Sequence, residues 1–404
     1  MTFSLDDLAF LTSARGKALL EILRGEDLRD SALLGVITGL RKQYTGDEAR
    51  AAVELARLRA QAVDKFGEDA GKMYFTREAL EQASDPLIRR YRSHISFSAE
   101  LIDIGCSIGS DSLAFASGGK YVTGIDLDPV RIEMARLNAA ALGINQAKFV
   151  VADAREYMPP ETSVIFFDPG RRDALGNRIA NVERYSPPLS IIRRWKLKGG
   201  RVMVKLSPGV DIDELEKYPG TLQFVSVSGD LKEAILYYDP DERKLNLAAT
   251  LITPTDTFYW DAVPSYSDRR PISKPRQWLI EPDPALLRAV KVESAAAQWK
   301  AYQLDTTIAY LTAEKAPETP WARSWRILDW MPFSVKRLRA YLRDHNVGTV
   351  TVKKRGSAVT PETLIPQLKL NGDESRVIVL TRSQGDPIAI VCDDYQPQHD
   401  SRKE

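Results

Sequence analysis

Cysteine and histidine are scarce in this chain: two cysteines (Cys106 and Cys392) and three histidines in 404 residues. The two thiols lie far apart in sequence, which excludes a disulfide framework of the kind that staples small secreted domains. No His/Cys grouping has the spacing of a zinc site, so no metal is expected. Long apolar runs are missing too, and no segment approaches the roughly 20 apolar residues needed to cross a bilayer. No charged-then-apolar leader opens the sequence. These absences point to a soluble, cytoplasmic protein with no membrane partner. An excess of either charge is also lacking, since 56 basic residues meet 55 acidic ones for a formal net charge of +1. That balance excludes a chain that coats nucleic acid through bulk charge. The length, with 44% hydrophobic residues, is enough for two or three domains with ample cores.

What is present is a glycine loop between acids. Leu101-Ile-Asp-Ile-Gly-Cys-Ser-Ile-Gly-Ser-Asp111 reads as a buried strand running into a loop and then a helix. Gly105 and Gly109 let backbone approach a ligand without a Cβ in the way. The spacing Asp103-x-Gly105-x-x-x-Gly109-x-Asp111 lacks the middle glycine of the dinucleotide fingerprint. Its flanking acids would also repel a pyrophosphate. A sulfonium cofactor with an amino-acid tail would be met through its ammonium group by Asp103 and Asp111, so S-adenosylmethionine (SAM) fits better than NAD. Cys106 and Ser107 belong to the same loop. A second strand, Tyr121-Val-Thr-Gly-Ile-Asp126, ends on an acid placed for a ribose diol, with Leu127 next to it for packing on adenine. Asp128-Pro129 then reads as an N-cap and a first-turn proline, opening a helix that stops at Gly143. A third strand from Ala147 runs to Asp153 and Ala154, where a carboxylate can accept from the adenine amine. Taken alone, Asp153 reads equally well as a turn residue.

The fourth strand, Ser163–Phe167, is apolar enough to be buried on both faces. It empties into Asp168-Pro-Gly-Arg-Arg-Asp173. Ligands of a doubly wound sheet sit at the carboxyl ends of the strands, where strand order reverses, so Asp168 is expected beside the transferable methyl group. A fifth strand over 200–206 contains Lys205, which either faces the site or, more simply, is a strand-end residue. A last pair over 221–228 and 231–238 is joined by a tight turn at Gly229-Asp230.

On these motifs, residues 98–240 resemble a class I SAM-dependent methyltransferase domain. Tyr74-Phe-Thr-Arg-Glu-Ala-Leu-Glu-Gln82, Trp325-Arg-Ile-Leu-Asp-Trp-Met-Pro332 and Val352-Lys-Lys-Arg-Gly356 further resemble a bacterial methyltransferase family with a THUMP-like C-terminal domain. The resemblance implies an α/β fold: a Rossmann-like, seven-stranded catalytic domain over 98–240, with a helical N-terminal domain over 1–97 and a THUMP-like α/β domain over 325–395. In the last, helices are expected near 334–346 and 361–369 and a strand near 348–354, with two more strands before Asp393. Residues 241–324, dense in proline and tryptophan, read as an irregular or antiparallel connecting region, and 396–404 as a disordered tail. Thr45-Gly-Asp-Glu48 is a capping box in the helical part, which serves either as a substrate cap or as packing.

Methyl transfer is an in-line displacement, so alignment and desolvation matter more than acid chemistry. Methyltransferases of exocyclic amines carry an (N/D)-P-P-(Y/F/W) motif that aims two oxygens at the amine and stacks an aromatic ring on the flipped base. Asp168 and Pro169 keep the first half of it, whereas Gly170 and Arg171 replace the rest. Arg171 is expected to stack through its guanidinium plane or to clamp a phosphate, with Arg172 beside it. No cysteine stands where carbon-5 methylation of a pyrimidine would need one. Local charge indicates the acceptor. Nine basic residues face two acids between Arg171 and Arg201, four more (Lys336, Arg337, Arg339, Arg343) lie on one C-terminal helix, and Lys353, Lys354 and Arg355 end a strand. Such clusters suit phosphate contacts. The expected activity is SAM-dependent methylation of a nitrogen or ribose oxygen in structured RNA, either rRNA or tRNA. The alternatives are a small-molecule or protein acceptor, or a SAM-binding, RNA-associated scaffold that has lost catalysis, as the departure at Gly170-Arg171 suggests.

Overall fold

The computed structural model describes residues 3–95, 99–161, 163–173, 176–195, 201–263 and 270–393. The tail over 396–404, and Lys196 and Lys198 of the basic stretch, lie outside them. The chain forms two compact units, one of residues 1–222 and 233–246, the other of 223–232 and 247–404.

The first unit opens with helices α1 (Leu5–Thr12), α2 (Ala14–Leu23), α3 (Asp30–Leu40), α4 (Gly46–Phe66), α5 (Arg77–Gln82) and α6 (Pro86–Ser93). The capping box starts α4: the Glu48 N–H donates to the Thr45 hydroxyl at 3.2 Å, and the Thr45 N–H donates to the Glu48 carboxylate at 2.8 Å. Ala49, Ala52, Leu55, Leu58 and Ala62 then form a buried stripe at helical spacing. These helices share one core with the residues that follow, Leu55 and Phe75 clustering with Cys106, Ile108 and Phe149.

Strands β1 (Glu100–Ile104), β2 (Tyr121–Asp126), β3 (Ala147–Val151), β4 (Val164–Phe167), β5 (Val202–Leu206), β6 (Gly220–Val227) and β7 (Asp230–Tyr238) lie in the order β3-β2-β1-β4-β5-β7-β6. The first five are parallel and β7 is antiparallel to β5. These seven strands have the order of the Rossmann-like class I methyltransferase, within a sheet of nine. Every residue of β4 is buried, as a central parallel strand requires. Helix α7 (Ser110–Ser117) follows β1, and α8 (Pro129–Ala141) follows β2 with Asp128 as its N-cap. Asn138 of α8 accepts the Tyr74 N–H at 2.7 Å and donates to the carbonyls of Tyr74 and Ile108. One buried amide thus ties the N-terminal segment to the glycine loop. Strand order reverses between β1 and β4, opening the crevice in which such sheets bind ligands.

In the second unit, Ser228 and Gly229 both have positive φ (49° and 88°) between β6 and β7, the signature of a type I′ hairpin turn. The turn therefore falls one residue earlier than the sequence suggests. Residues 241–324 are more regular than a connecting region. Besides the antiparallel pair β8 (Leu245–Ile252) and β9 (Thr257–Trp260), they supply β10 (Trp278–Pro282), α9 (Pro284–Arg288), α10 (Val292–Gln298), β11 (Tyr302–Asp305) and β12 (Ile308–Ala313). Strands β10 to β12 join β13 (Ala322–Pro332), β14 (Val347–Lys354), β15 (Glu374–Ser383) and β16 (Asp386–Cys392) in a single sheet, ordered β11-β12-β10-β13-β16-β15-β14. Helices α11 (Val335–Asp344) and α12 (Pro361–Leu368) cluster with Ile378, Leu380, Ala389 and Val391. The alternate residues Val377, Val379, Ile388 and Ile390 form a second core with Trp325, the period-two partition of a sheet buried on both faces. Among the described residues no helix is long and apolar enough to cross a membrane.

Candidate active site

The glycine loop hangs from β2. The N–H groups of Gly105 and Cys106 both donate to the Ile125 carbonyl, at 2.8 and 3.0 Å. Gly105 has φ +82°, and a Cβ there would stand 2.4 Å from the Asp168 carbonyl oxygen, so the ends of β1 and β4 touch at this point. Ser107 also has positive φ and donates its N–H to Asp126 at 2.9 Å; the second Asp126 oxygen accepts the Asp128 N–H at 3.0 Å. Each Asp126 oxygen retains a lone pair for a further donor. Leu127, beyond it, is 61% exposed. Three polar atoms of the loop and its neighbours are buried with no partner among the described residues: Asp103 Oδ1, Ser107 Oγ and Ser110 Oγ. A buried polar atom left unpaired by the chain calls for a partner outside it, ordered water or a bound ligand among them.

Below the loop lies a buried cluster of charges. Asp103 is 1% exposed and accepts from the Ser112 hydroxyl at 2.5 Å. Burial pushes its carboxyl up to about 8 against that hydrogen bond, and Asp111 and Asp168 add to the push. Asp111 is held by Arg92 of α6 and accepts from Ser84 at 3.1 Å, with Lys205 Nζ at 3.8 Å. Burial raises its carboxyl, but Arg92 and Lys205 outweigh burial and hold it below the usual range. Asp111 is therefore spent on internal cations, unlike the ammonium contact expected for it. Arg92 also pairs with Glu233 of β7. Lys205 donates to Asp168 at 2.7 Å. Burial alone would lower the Lys205 ammonium, yet Asp168 and Asp111 raise it.

Asp153 lies apart from this cluster. Both of its oxygens accept from the Arg155 guanidinium, in three bonds at 2.7 to 3.0 Å, and the Arg155 N–H adds a fourth. Asp153 thus closes a turn over its neighbour, with Ala154 between the two. The Cys106 thiol is buried and pushed up by burial, which makes it an inert loop residue.

After Asp168-Pro169 the chain folds into a strap. Gly170 and Ser186 exchange both N–H···O bonds at 2.9 Å, and Arg172 bridges to Arg178. A proline at 170 could not donate its half of that pair, and a Cβ would come within 3.2 Å of the Ser186 carbonyl. The departure from a second proline is thus explained by the strap. Arg171 Nη2 stands 3.9 Å from Asp168, and Arg172 donates to the Gly176 carbonyl at 2.8 Å.

Comparison with known proteins matches this geometry. The methyltransferase-domain family matches residues 101–167, the THUMP domain-like family residues 322–394, and a domain of unknown function residues 4–62. A Mycobacterium tuberculosis protein, named an uncharacterized S-adenosylmethionine-dependent methyltransferase, is 32% identical over 345 residues, 83% of this chain and 94% of its own. The chain belongs to the SAM-dependent methyltransferases. A crystal structure from Porphyromonas gingivalis W83, described as a candidate methyltransferase, shares the fold of this methyltransferase at TM-score 0.77 and 19% identity, covering 98% of this chain and all of its own. A protein of Oceanobacillus iheyensis named an uncharacterized RNA methyltransferase is 40% identical over 78 residues, 18% of this chain and 17% of its own.

The residues present fit SAM. The loop is kept free of side chains where Gly105 meets β4, three oxygens in and beside it have no partner among the described residues, and Asp126 and Leu127 offer a carboxylate beside an apolar surface. When bound, SAM supplies an electrophilic methyl on a sulfonium. The chain itself contributes a crevice with a partly exposed carboxylate, Asp168, anchored from below by Lys205. Among the described residues no grouping of histidine, cysteine and acids is suited to a metal. Arg92 and the pairing of Lys205 with Asp168 leave no local mark in the sequence, although a lysine inside the apolar run Val-Met-Val-Lys-Leu is a signal that it faces the site: buried lysines are rare unless paired.

Proposed function

We propose that this methyltransferase acts on structured RNA, at a nitrogen or a ribose oxygen. In this reading Asp103, Gly105, Ser107, Gly109, Asp126 and Leu127 hold SAM. The Asp168 carboxylate accepts a hydrogen bond from the acceptor group and orients it for in-line attack. Arg171 and Arg172 hold the base or backbone. The observation that carries the reading is the strap: Arg172, Arg178 and Arg184 are exposed on a segment that begins at Asp168 itself. In the second unit, Lys336, Arg337 and Arg343 are exposed on α11, in the part matched by the THUMP domain-like family. Lys353, by contrast, is paired with Glu281 at 2.6 Å and lies over the Trp325 ring, so it is the weaker contributor. The local likeness to proteins named as RNA methyltransferases supports the same class of acceptor.

The test is transfer from isotopically labelled SAM to total RNA from a strain lacking the protein, with wild-type RNA, protein and metabolite fractions alongside. Label entering only the deletion-strain RNA is the expected result. Label in the protein or metabolite fraction instead would replace RNA as the acceptor. RNA affinity should fall steeply with salt as phosphate contacts release counterions, and a flat response would remove the role of the arginines.

A further inference from the structure

We propose that Lys205 is a positioning residue for methyl transfer: it fixes one oxygen of the Asp168 carboxylate so that the other meets the acceptor, and the Arg92–Asp111 pair behind it fixes Lys205. The inference rests on the reading of Asp168 as the acceptor-orienting group.

Lys205 sits near the carboxyl end of β5, next to β4. Its side chain is 6% exposed, against 23% for Asp168, with Nζ 2.7 Å from Asp168 Oδ2. That bond occupies Oδ2 from the buried side. Among the described residues Oδ1 has only Arg171 Nη2, at 3.9 Å, too far for a hydrogen bond, so Oδ1 is the oxygen left for an acceptor N–H or O–H. Lys205 lies between two carboxylates, because Asp111 Oδ2 is 3.8 Å from Nζ. Asp111 cannot follow the lysine if it moves, being tied to Arg92 and to Ser84. Arg92 is held in turn by Glu233 and lies 4.7 Å over the Phe166 ring of β4. A run of paired charges therefore leads from α6 to the one carboxylate of the set that reaches the crevice. A charged lysine in this place donates and does not accept, so its part is to orient Asp168 and not to take a proton. A loosely held Asp168 would present the wrong oxygen, and misplacement of about 1 Å costs on the order of 100-fold in rate.

A purely structural lysine would affect folding and leave transfer through Asp168 untouched, which a double-mutant cycle separates. The cycle uses the full-length protein, labelled SAM at saturation, and an extract of a strain lacking the protein, with incorporation in the absence of enzyme subtracted. Asp168→Asn should lower the transfer rate about 100-fold and Lys205→Met about 10- to 100-fold. SAM Kd, measured by calorimetry, should change less than about twofold in either. The double variant should be no slower than Asp168→Asn alone. Losses that multiply in the double variant, or a wild-type rate in Lys205→Met, would overturn the positioning role while leaving Asp168 in place. A wild-type rate in Asp168→Asn would sink the reading of Asp168 and this inference with it. Where Lys205→Met does not fold, Lys205→Arg keeps the charge but not the single ammonium at 2.7 Å, and the same cycle with it decides between the outcomes.

Discussion

Gly105 and Asp168 touch across the crevice: the place where a Gly105 Cβ would be is 2.4 Å from the Asp168 carbonyl oxygen. The glycine loop and the end of β4 are therefore one structure, and neither can shift alone. Gly105→Ala must push the two apart and must also hold an alanine at φ +82°, a conformation that costs a non-glycine residue about 1–2 kcal/mol before the clash is counted. The variant should lose SAM binding and transfer together, with a thermal midpoint several degrees lower. Retained SAM affinity with lost transfer would mean that only the β4 side yields.

Asp126 has two tasks, and its variants should separate them. It already accepts the N–H groups of Ser107 and Asp128, so it shapes the loop as well as offering lone pairs to a diol. Asp126→Asn keeps one carbonyl oxygen for the loop but presents a donor where the other acceptor stood. It should weaken SAM binding by about 10-fold, the range of one or two lost charge-assisted hydrogen bonds, and Asp126→Ala by more. Neither should alter the rate at saturating SAM. Titration calorimetry with the cofactor, beside single-turnover transfer, checks this. An unchanged affinity in Asp126→Ala would remove the residue from the cofactor site.

The sheet was legible in the sequence because its strands are short apolar runs, and β1, β2 and β4 end on or next to a glycine or an acid. The loop was legible because the spacing of glycines and acids reflects a local backbone requirement. The destination of Asp111 was not, since a first-turn acid on α7 reads the same whether it faces a ligand or a buried arginine. Arg92 decides the matter from α6, and a contact between separate elements leaves no local mark. Lys205 was open to two readings, facing the site or merely ending the strand, and its bond to Asp168 of the neighbouring strand end decides between them. The antiparallel character of 241–324 was legible, but not the bounds of β10 to β12, because these strands are short and take their form from pairing, β10 with β13 and β12, and β11 with β12.

Asp103 makes stability depend on pH. An unfolded aspartate titrates near pH 4, whereas burial moves the folded group up to about 8. Between those values the folded protein keeps a proton that the unfolded chain has lost. The stability this group contributes is therefore full below about pH 4 and is lost as pH rises through about 8. Asp103→Asn holds the neutral shape at every pH. Without SAM, the wild-type melting temperature should fall more steeply than that of the variant between about pH 5 and pH 9. Scanning calorimetry at several pH values reads the difference, and parallel slopes would show that Asp103 is already ionised in the folded state.

Arg92 carries the largest expected stability effect. Its side chain is 3% exposed and pairs with Asp111 and Glu233, which are nearly as buried. Burial alone would depress the guanidinium, but the two carboxylates raise it instead. Arg92→Met leaves both acids buried with no cation in the bond they shared, the case in which breaking a buried pair costs about 3–5 kcal/mol. Arg29, which pairs with Asp27 at 2.6 Å but is 83% exposed, is the internal control, and Arg29→Met should leave the urea midpoint where it is. Adding Asp111→Asn and Glu233→Gln to Arg92→Met removes the stranded charges and should restore a large part of the loss. If the triple variant is as unstable as Arg92→Met, the cost belongs to packing against Phe166 and the charges are not its source.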